Sequence, residues 1–136
     1  MKIVICGSMS ASREMLDIEN KLVELGHEVV LPDFTHKYAA MESLDDVHIE
    51  STKNKVEHDL IRGYYKKIEE SDAVLIANIK KRDTDCYIGG NAFLEMGFAH
   101  VLNKPVYLLN GIPEMDYKDE IEAMEPIVLD GELGRI

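Results

Sequence analysis

The chain has no tryptophan, two cysteines and few basic residues, and each scarcity removes a class of protein. Cys6 lies in an apolar run and Cys86 in a polar stretch. Two thiols so distant, in such different surroundings, make neither a disulfide framework nor a metal-ligand spacing. His27, His36, His48, His58 and His100 form neither HExxH nor a Cys/His set, so no metal site is expected. No apolar run approaches the ~20 residues that cross a bilayer. Lys2 leads straight into a strand pattern, without the apolar core and cleavage site of a signal peptide. The expectation is a cytoplasmic protein with no membrane partner. Against 26 acidic residues there are 15 Lys and Arg, for a net charge of −11. The longest basic run is Lys80-Lys81-Arg82. Binding to a nucleic-acid backbone needs basic residues clustered on one face, so nucleic acid is not an expected partner. A small anion remains compatible, because a helix N-terminus can hold a phosphate without a basic surface.

What is present suits one domain over residues 1–136. At 46% hydrophobic, a chain of this length buries roughly two-thirds of its unfolded surface. Lys2–Cys6 reads as a strand buried on both faces. A helix follows from about Ser12 to Leu25, with Met15, Ile18, Leu22, Val23 and Leu25 near helical spacing and Gly26 as its stop. His27–Leu31 is the second strand, ended by Pro32. Residues 33–55 read as a long loop with one short helix, either a lid or binding segment or a plain solvated connection. Isolated apolar residues Met41, Leu44, Val47 and Ile49 punctuate it. Val56–Glu70 predicts a helix with Leu60, Ile61, Tyr64 and Ile68 as its buried stripe. Strands at Ala73–Ala77, Val106–Leu109 and Pro126–Leu129 alternate with helices near 91–102 and 116–124. The pattern is α/β: a doubly wound, parallel five-stranded sheet, flavodoxin-like or Rossmann-like, in the order 2-1-3-4-5. Ligands of such sheets sit at the carboxyl ends of the strands where the order reverses. The loops after strands one and three, residues 7–10 and 78–91, open there.

The second of those loops runs into Tyr87-Ile-Gly-Gly-Asn-Ala-Phe-Leu-Glu-Met-Gly97. Gly89 and Gly90 allow close approach of the backbone, and Asn91 is a good N-cap. Glu95 follows about one turn in, among apolar Phe93, Leu94, Met96 and Phe98. It is either a carboxylate in a mostly apolar pocket or a residue answering the helix dipole. Gly7-Ser-Met-Ser-Ala-Ser12 is neither GxGxxG nor a Walker sequence. That argues against a P-loop NTPase and against an ordinary dinucleotide site, and no cofactor is expected. Gly7, Ser8, Met9 and Ser10 could hold a phosphate or sugar hydroxyl, or Ser10 and Ser12 could simply cap the helix. Asp59, with Glu57 and His58 beside it, is the second candidate carboxylate, or else a solvated residue or cap. A pair of carboxylates flanking the bond is the usual equipment for glycosidic cleavage through an oxocarbenium-like transition state. Of Tyr64 and Tyr65, one should face the core, and the other could line the pocket or stack on a base. Met9, Met15, Met96 and Met124 read as core gap-fillers.

Several of these motifs occur together in one family. A strand ending Cys-Gly-Ser is followed by Asp-Leu at 59–60, Ser-Asp-Ala-Val-Leu-Ile-Ala at 71–77, a glycine loop, Glu-Met-Gly-Phe-Ala at 95–99 and Lys-Pro-Val at 104–106. The pattern resembles the nucleoside 2-deoxyribosyltransferase superfamily, which includes the 2′-deoxynucleoside 5′-phosphate N-hydrolases. The resemblance covers about residues 2–110. It implies Glu95 as nucleophile, Asp59 as its assisting aspartate and Gly7-Ser8 as part of the substrate site. It also implies a nucleoside or nucleotide as small-molecule partner and a homo-oligomer. The chain departs from the family at Val4, where a tyrosine is frequent, and at Gly89, Asn91 and Phe93, where the hydrolases carry a serine and spaced glycines.

Three readings follow. In the first, Glu95 attacks C1′, Asp59 assists, and Gly7, Ser8, Met9, Ser10, Gly89, Gly90 and Asn91 place the substrate. Water as acceptor makes a hydrolase and a second base makes a transferase. In the second, the same fold binds a nucleotide without turnover, as a sensor or partner subunit. In the third, it is another enzyme on this scaffold, such as a phosphoribohydrolase-like protein.

Overall fold

The computed structural model describes residues 1–41, 56 and 59–136. The central strand, β1 (Lys2–Cys6), shows why the apolar run is continuous. Ile3, Val4, Ile5 and Cys6 are all fully buried, and alternate side chains enter opposite core layers. Val4 and Cys6 join one layer, with Tyr64, Ile68, Ala92 and Met96. Ile3 and Ile5 join the other, with Met15, Ile18 and Leu22. β3 (Ala73–Ile76) repeats the arrangement: Val74 and Ile76 lie in the first layer and Ala73 and Leu75 in the second.

The sheet is completed by β2 (Glu28–Val30), β4 (Val106–Leu108) and β5 (Ile127–Val128). The order is β2-β1-β3-β4-β5, and every pairing is parallel. β1 pairs with β2 from Lys2↔Glu28 and with β3 from Ile3↔Ala73 through Cys6↔Ile76. The expected α/β class and strand order are therefore observed; β1 keeps its expected bounds, and the other strands are one or two residues shorter than expected.

α1 (Ser12–Glu24) buries Met15, Ile18 and Leu22, and Gly26 takes the left-handed conformation (φ +91°) that stops it. Val23 and Leu25, counted in the expected apolar set, instead face solvent. A one-turn 3-10 helix, Met9–Ala11, precedes α1, and Ser8 rather than Ser10 or Ser12 caps that turn. The Ser12 hydroxyl donates back to the Met9 carbonyl (2.6 Å). The expected short helix beyond β2 is α2 (Thr35–Ala39). The expectations for Leu44, Val47, Ile49, Glu57 and His58 lie outside the described residues.

α3 (Leu60–Glu69) buries Tyr64 and Ile68, but Ile61 is 45% exposed. α4 (Gly90–Val101) buries Ala92, Met96 and Ala99. α5 (Lys118–Ala123) buries Ile121 before β5. No described helix is long and apolar enough to cross a membrane.

The carboxyl edge of the sheet is tied by one amide. Asn78, fully buried just after β3, accepts from the Asn110 backbone N–H (2.9 Å) and donates to the Gly111 carbonyl (2.8 Å). It therefore locks the loop after β3 to the loop after β4. Asn78→Ala leaves both part-buried backbone groups without this partner, and should cost about 1–3 kcal/mol. Urea denaturation measures this; Asn110→Ala, which removes one side-chain bond to the Asn78 carbonyl (3.1 Å), should cost about 1 kcal/mol.

Candidate active site

A cleft opens at the carboxyl ends of β1 and β2, with about 720 Å³ of empty space, its mouth included. Three walls build it. α4 presents Asn91, Leu94, Glu95 and Phe98, which are spaced i, i+3, i+4, i+7 and so share one helix face. The adjoining face, Ala92, Met96 and Ala99, packs in the core. This division explains an acid within an apolar helix: Glu95 belongs to the face that leaves the core. α3 contributes Leu60, Ile61 and Tyr64, and the segment after β2 contributes Pro32, Asp33, Phe34 and Tyr38. Gly7 and Met9 form the floor.

Gly7 has a steric reason. A Cβ there would meet Met15 Sδ at 3.1 Å and Ala77 Cβ at 3.3 Å, so the chain leaves β1 through a gap that side chains on α1 and β3 would otherwise contest. Phe34 takes φ +69°, a left-handed conformation uncommon for a bulky residue. It directs the chain into α2 while its ring lines the cleft.

Glu95 sits beside the end of β1. The buried Cys6 thiol donates to its carboxylate. Burial, then the Glu95 charge and that hydrogen bond, hold the Cys6 thiol well above its ordinary range. Tyr64 lies in the same group, its hydroxyl donating to the Ile5 carbonyl. Burial, followed by the charges on Cys6, Glu95 and Asp33, raises its phenol strongly. Both groups therefore stay protonated at neutral pH, as neutral donors around a carboxylate.

The structure brings Gly7, Met9, Asn91 and Glu95 together in the cleft. Asn91 does so from within α4 rather than from its cap. Gly89 is the N-cap residue, in extended conformation, and its carbonyl accepts from Phe93 N–H (2.9 Å). With a glycine already in that geometry the helix begins two residues earlier than an Asn91 cap requires. Gly89 also lies close under the Tyr87 ring, 3.2 Å from where its Cβ would be, while Gly90 meets nothing. Neither glycine lines the cleft. Ser8 and Ser10 lie just beyond its floor, bonded to each other (2.9 Å).

The Asp59 carboxylate is 60% exposed and pairs with Arg62 at 3.3 Å. It does not line the cleft, although Leu60 and Ile61 directly after it do. Asp33 is the second acidic group of the cleft wall, paired with Lys67 at 2.7 Å. Asp33, Phe34 and Tyr38 were not among the expected site residues. Their one sequence signal is position, since they follow β2 at the carboxyl edge where ligands of such sheets sit. Leu94 and Phe98 carried a fuller signal, the helical spacing they share with Glu95. Tyr64 faces both core and cleft, and Tyr65 packs edge-on against Phe98 (5.3 Å). Among the described residues no group of three or more His, Cys, Asp or Glu is arranged to hold a metal ion.

No family model matches the chain, and no curated protein matches it in sequence. Among solved structures it is similar to the CMP N-glycosidase BcmB of Clostridium botulinum, at 17% identity, over 94% of this chain and 85% of that one, with a TM-score of 0.50. The likeness is one of fold.

The two cysteines should separate cleanly in a thiol assay. At pH 8 a disulfide reagent should label Cys86, half-buried in its loop, and spare Cys6 until the protein is unfolded. The sign follows from the raised native pKa. Between the unfolded thiol's value, about 8.5, and the higher native one, the native state holds a proton that the unfolded state has lost. Stability from this group is therefore complete below about pH 8.5 and falls as pH rises beyond it.

Proposed function

We propose that the chain cleaves the N-glycosidic bond of a (deoxy)nucleoside or nucleotide, passing the sugar to water or to a second base, with Glu95 as nucleophile. One observation carries the reading. Glu95 is a carboxylate held by a buried thiol in a cleft walled by Phe34, Tyr38, Tyr64 and Phe98, at the edge of the sheet where ligands of this architecture bind. Rings of this kind suit a flat base, and water-poor walls favour a carboxylate that attacks carbon. The fold likeness to a protein described as a CMP N-glycosidase supports the same chemistry.

In this reading a Glu95 oxygen bonds to C1′ as the C1′–N bond breaks, and the bond pair leaves with the base, which takes up a proton. Water then attacks C1′, displaces Glu95 and gives up a proton. The net reaction adds water across the bond; a second base in place of water makes the transfer. Asp59, at the rim, handles these protons once a ligand draws it from Arg62. Asp33, already in the wall, is the other carboxylate placed for that work. Gly7, Ser8, Met9, Ser10, Gly89, Gly90 and Asn91 place the sugar and its substituents. The protein acts without a cofactor, as a cytoplasmic homo-oligomer.

Binding without turnover is the second reading, favoured by the outward-facing Asp59 carboxylate. Incubation with a panel of nucleosides, deoxynucleosides and their 5′-monophosphates, read by chromatography, separates the two. Free base should appear, and Glu95→Gln should lower its rate by at least about 10³-fold. Asp59→Asn and Asp33→Asn identify the proton-handling group as the one whose loss also moves the pH profile. A ligand that binds, with no base released by the unaltered protein, sinks the enzyme reading.

A further inference from the structure

The sequence contains one Asn-Gly step, Asn110-Gly111, and one Asp-Gly step, Asp130-Gly131. Asparagine is among the thermolabile residues of a chain. Its side-chain amide carbon lies one five-membered ring closure from the next backbone nitrogen. A glycine obstructs that closure least, because it has no side chain.

The fold treats the two steps differently. The Gly131 N–H donates to the Leu109 carbonyl (2.8 Å), so the nitrogen that would attack Asp130 is held. The Gly111 N–H has no hydrogen-bond partner among the described residues. Asn110 and Gly111 are half-buried, with part of their surface open to water. What restrains Asn110 is the buried Asn78 amide. Asn78 accepts from the Asn110 backbone N–H (2.9 Å), and its Nδ2 also donates to the Asn110 carbonyl (3.3 Å). Asn110 Nδ2 in turn donates to the Asn78 carbonyl (3.1 Å). Both backbone groups and the side-chain end of Asn110 are thus pinned to one residue. Ring closure expels Nδ2, so it cannot proceed without losing the last of these bonds.

We propose that Asn110 is a site of spontaneous deamidation that the Asn78 amide holds closed, and that conversion opens the lock between the loops after β3 and β4. Gly111 N bonds to Asn110 Cγ, and Nδ2 leaves as ammonia with the proton that Gly111 N gives up. A succinimide remains. Water then adds at one of its two carbonyls and cleaves the ring C–N bond there. Opening at Cγ gives aspartate; opening at the backbone carbonyl gives an isoaspartate linkage through the side chain. The net change is water consumed, ammonia released and a carboxylate gained. Conversion to aspartate puts an oxygen where Nδ2 stood, facing the Asn78 carbonyl, and two acceptors share no proton. The isoaspartate linkage reroutes the backbone at the same point. The lock does not re-form in either case. The loop it frees after β3 leads into α4, the helix that carries Glu95. None of this depends on what the cleft binds.

The test is a timed incubation at pH 8, followed by intact mass, peptide mapping and an isoaspartate assay. In the folded unaltered protein Asn110 should be the first asparagine converted, at least about tenfold more slowly than in urea, because reaction waits on local opening. Asn78→Ala should convert Asn110 about 5- to 100-fold faster, the rise in open population expected from losing such a partner. Gly111→Ala should suppress conversion, folded or unfolded; a Cβ there meets nothing within 4 Å, so the fold accepts it. Asp130-Gly131 is the internal control, and its isomerisation should stay slow in Asn78→Ala. Should Asn78→Ala fail to fold, the unaltered protein in urea below its unfolding transition gives the same comparison, with conversion of Asn110 rising ahead of that of Asp130. Asn110→Asp, the aspartate product, should unfold at lower urea than Asn110→Ala, which lacks only the donor. Conversion in the folded protein as fast as in urea overturns the proposal. So does a folded Asn78→Ala in which the rate at Asn110 is unchanged or rises no more than that at Asp130. An Asn110→Asp protein as stable as the unaltered one overturns its second half.

Discussion

The carboxyl end of β1 is the point on which the rest of the structure depends. There a fully buried strand must end, its last side chain still inside the core, while the backbone turns into a loop that reaches the surface. Cys6 meets that demand with a small, weakly polar group that packs as a hydrophobe yet can donate one hydrogen bond, and the acceptor is Glu95. Gly7 meets it by having no side chain where Met15 and Ala77 crowd the exit. Tyr64 closes the third side through the Ile5 carbonyl. Helices on one face of the sheet and the strand itself are thereby referenced to the same few atoms.

The surroundings of Glu95 follow from this. A carboxylate brought near a core is tolerated only when hydrogen-bonded. Here one donor is a thiol that burial keeps protonated. Among the described residues, the Lys67 ammonium lies on Asp33 and that of Lys81 on Ser8. The protein's overall negative charge thus says little about its site, because at ionic strengths near physiological a charge is felt over about 8 Å.

Much of the architecture was legible because it rests on short-range pattern. The unbroken apolar run Lys2–Cys6 marks a strand buried on both faces, and the periodic Met15, Ile18 and Leu22 mark a helix against it. Errors occurred where two readings share a pattern. Val23, Leu25 and Ile61 are apolar and near helical phase, yet they face solvent, since phase alone does not say how wide the buried stripe is. Asn91 has the chemistry of a cap, but Gly89 took that position, because a glycine in extended conformation starts the helix as well.

The candidate site divides along the same line. Sequence alone determined that an acid stands in an apolar helix after the third strand, that a glycine-serine turn follows the first, and that parallel topology brings both to one edge. Local periodicity and the handedness of crossovers suffice for this, and both are properties of neighbouring residues. Only the tertiary structure decided which side chains meet Glu95 and Ser8. Cys6 looked like a plain core residue, Asp33 and Phe34 like parts of a loop, and Lys81 like one member of a solvated basic run. Their contacts join residues far apart in the chain, 34 positions from Asp33 to Lys67 and 73 from Lys81 to Ser8. Such contacts depend on the packing of helices and loops over the sheet, which leaves no periodic trace in the chain.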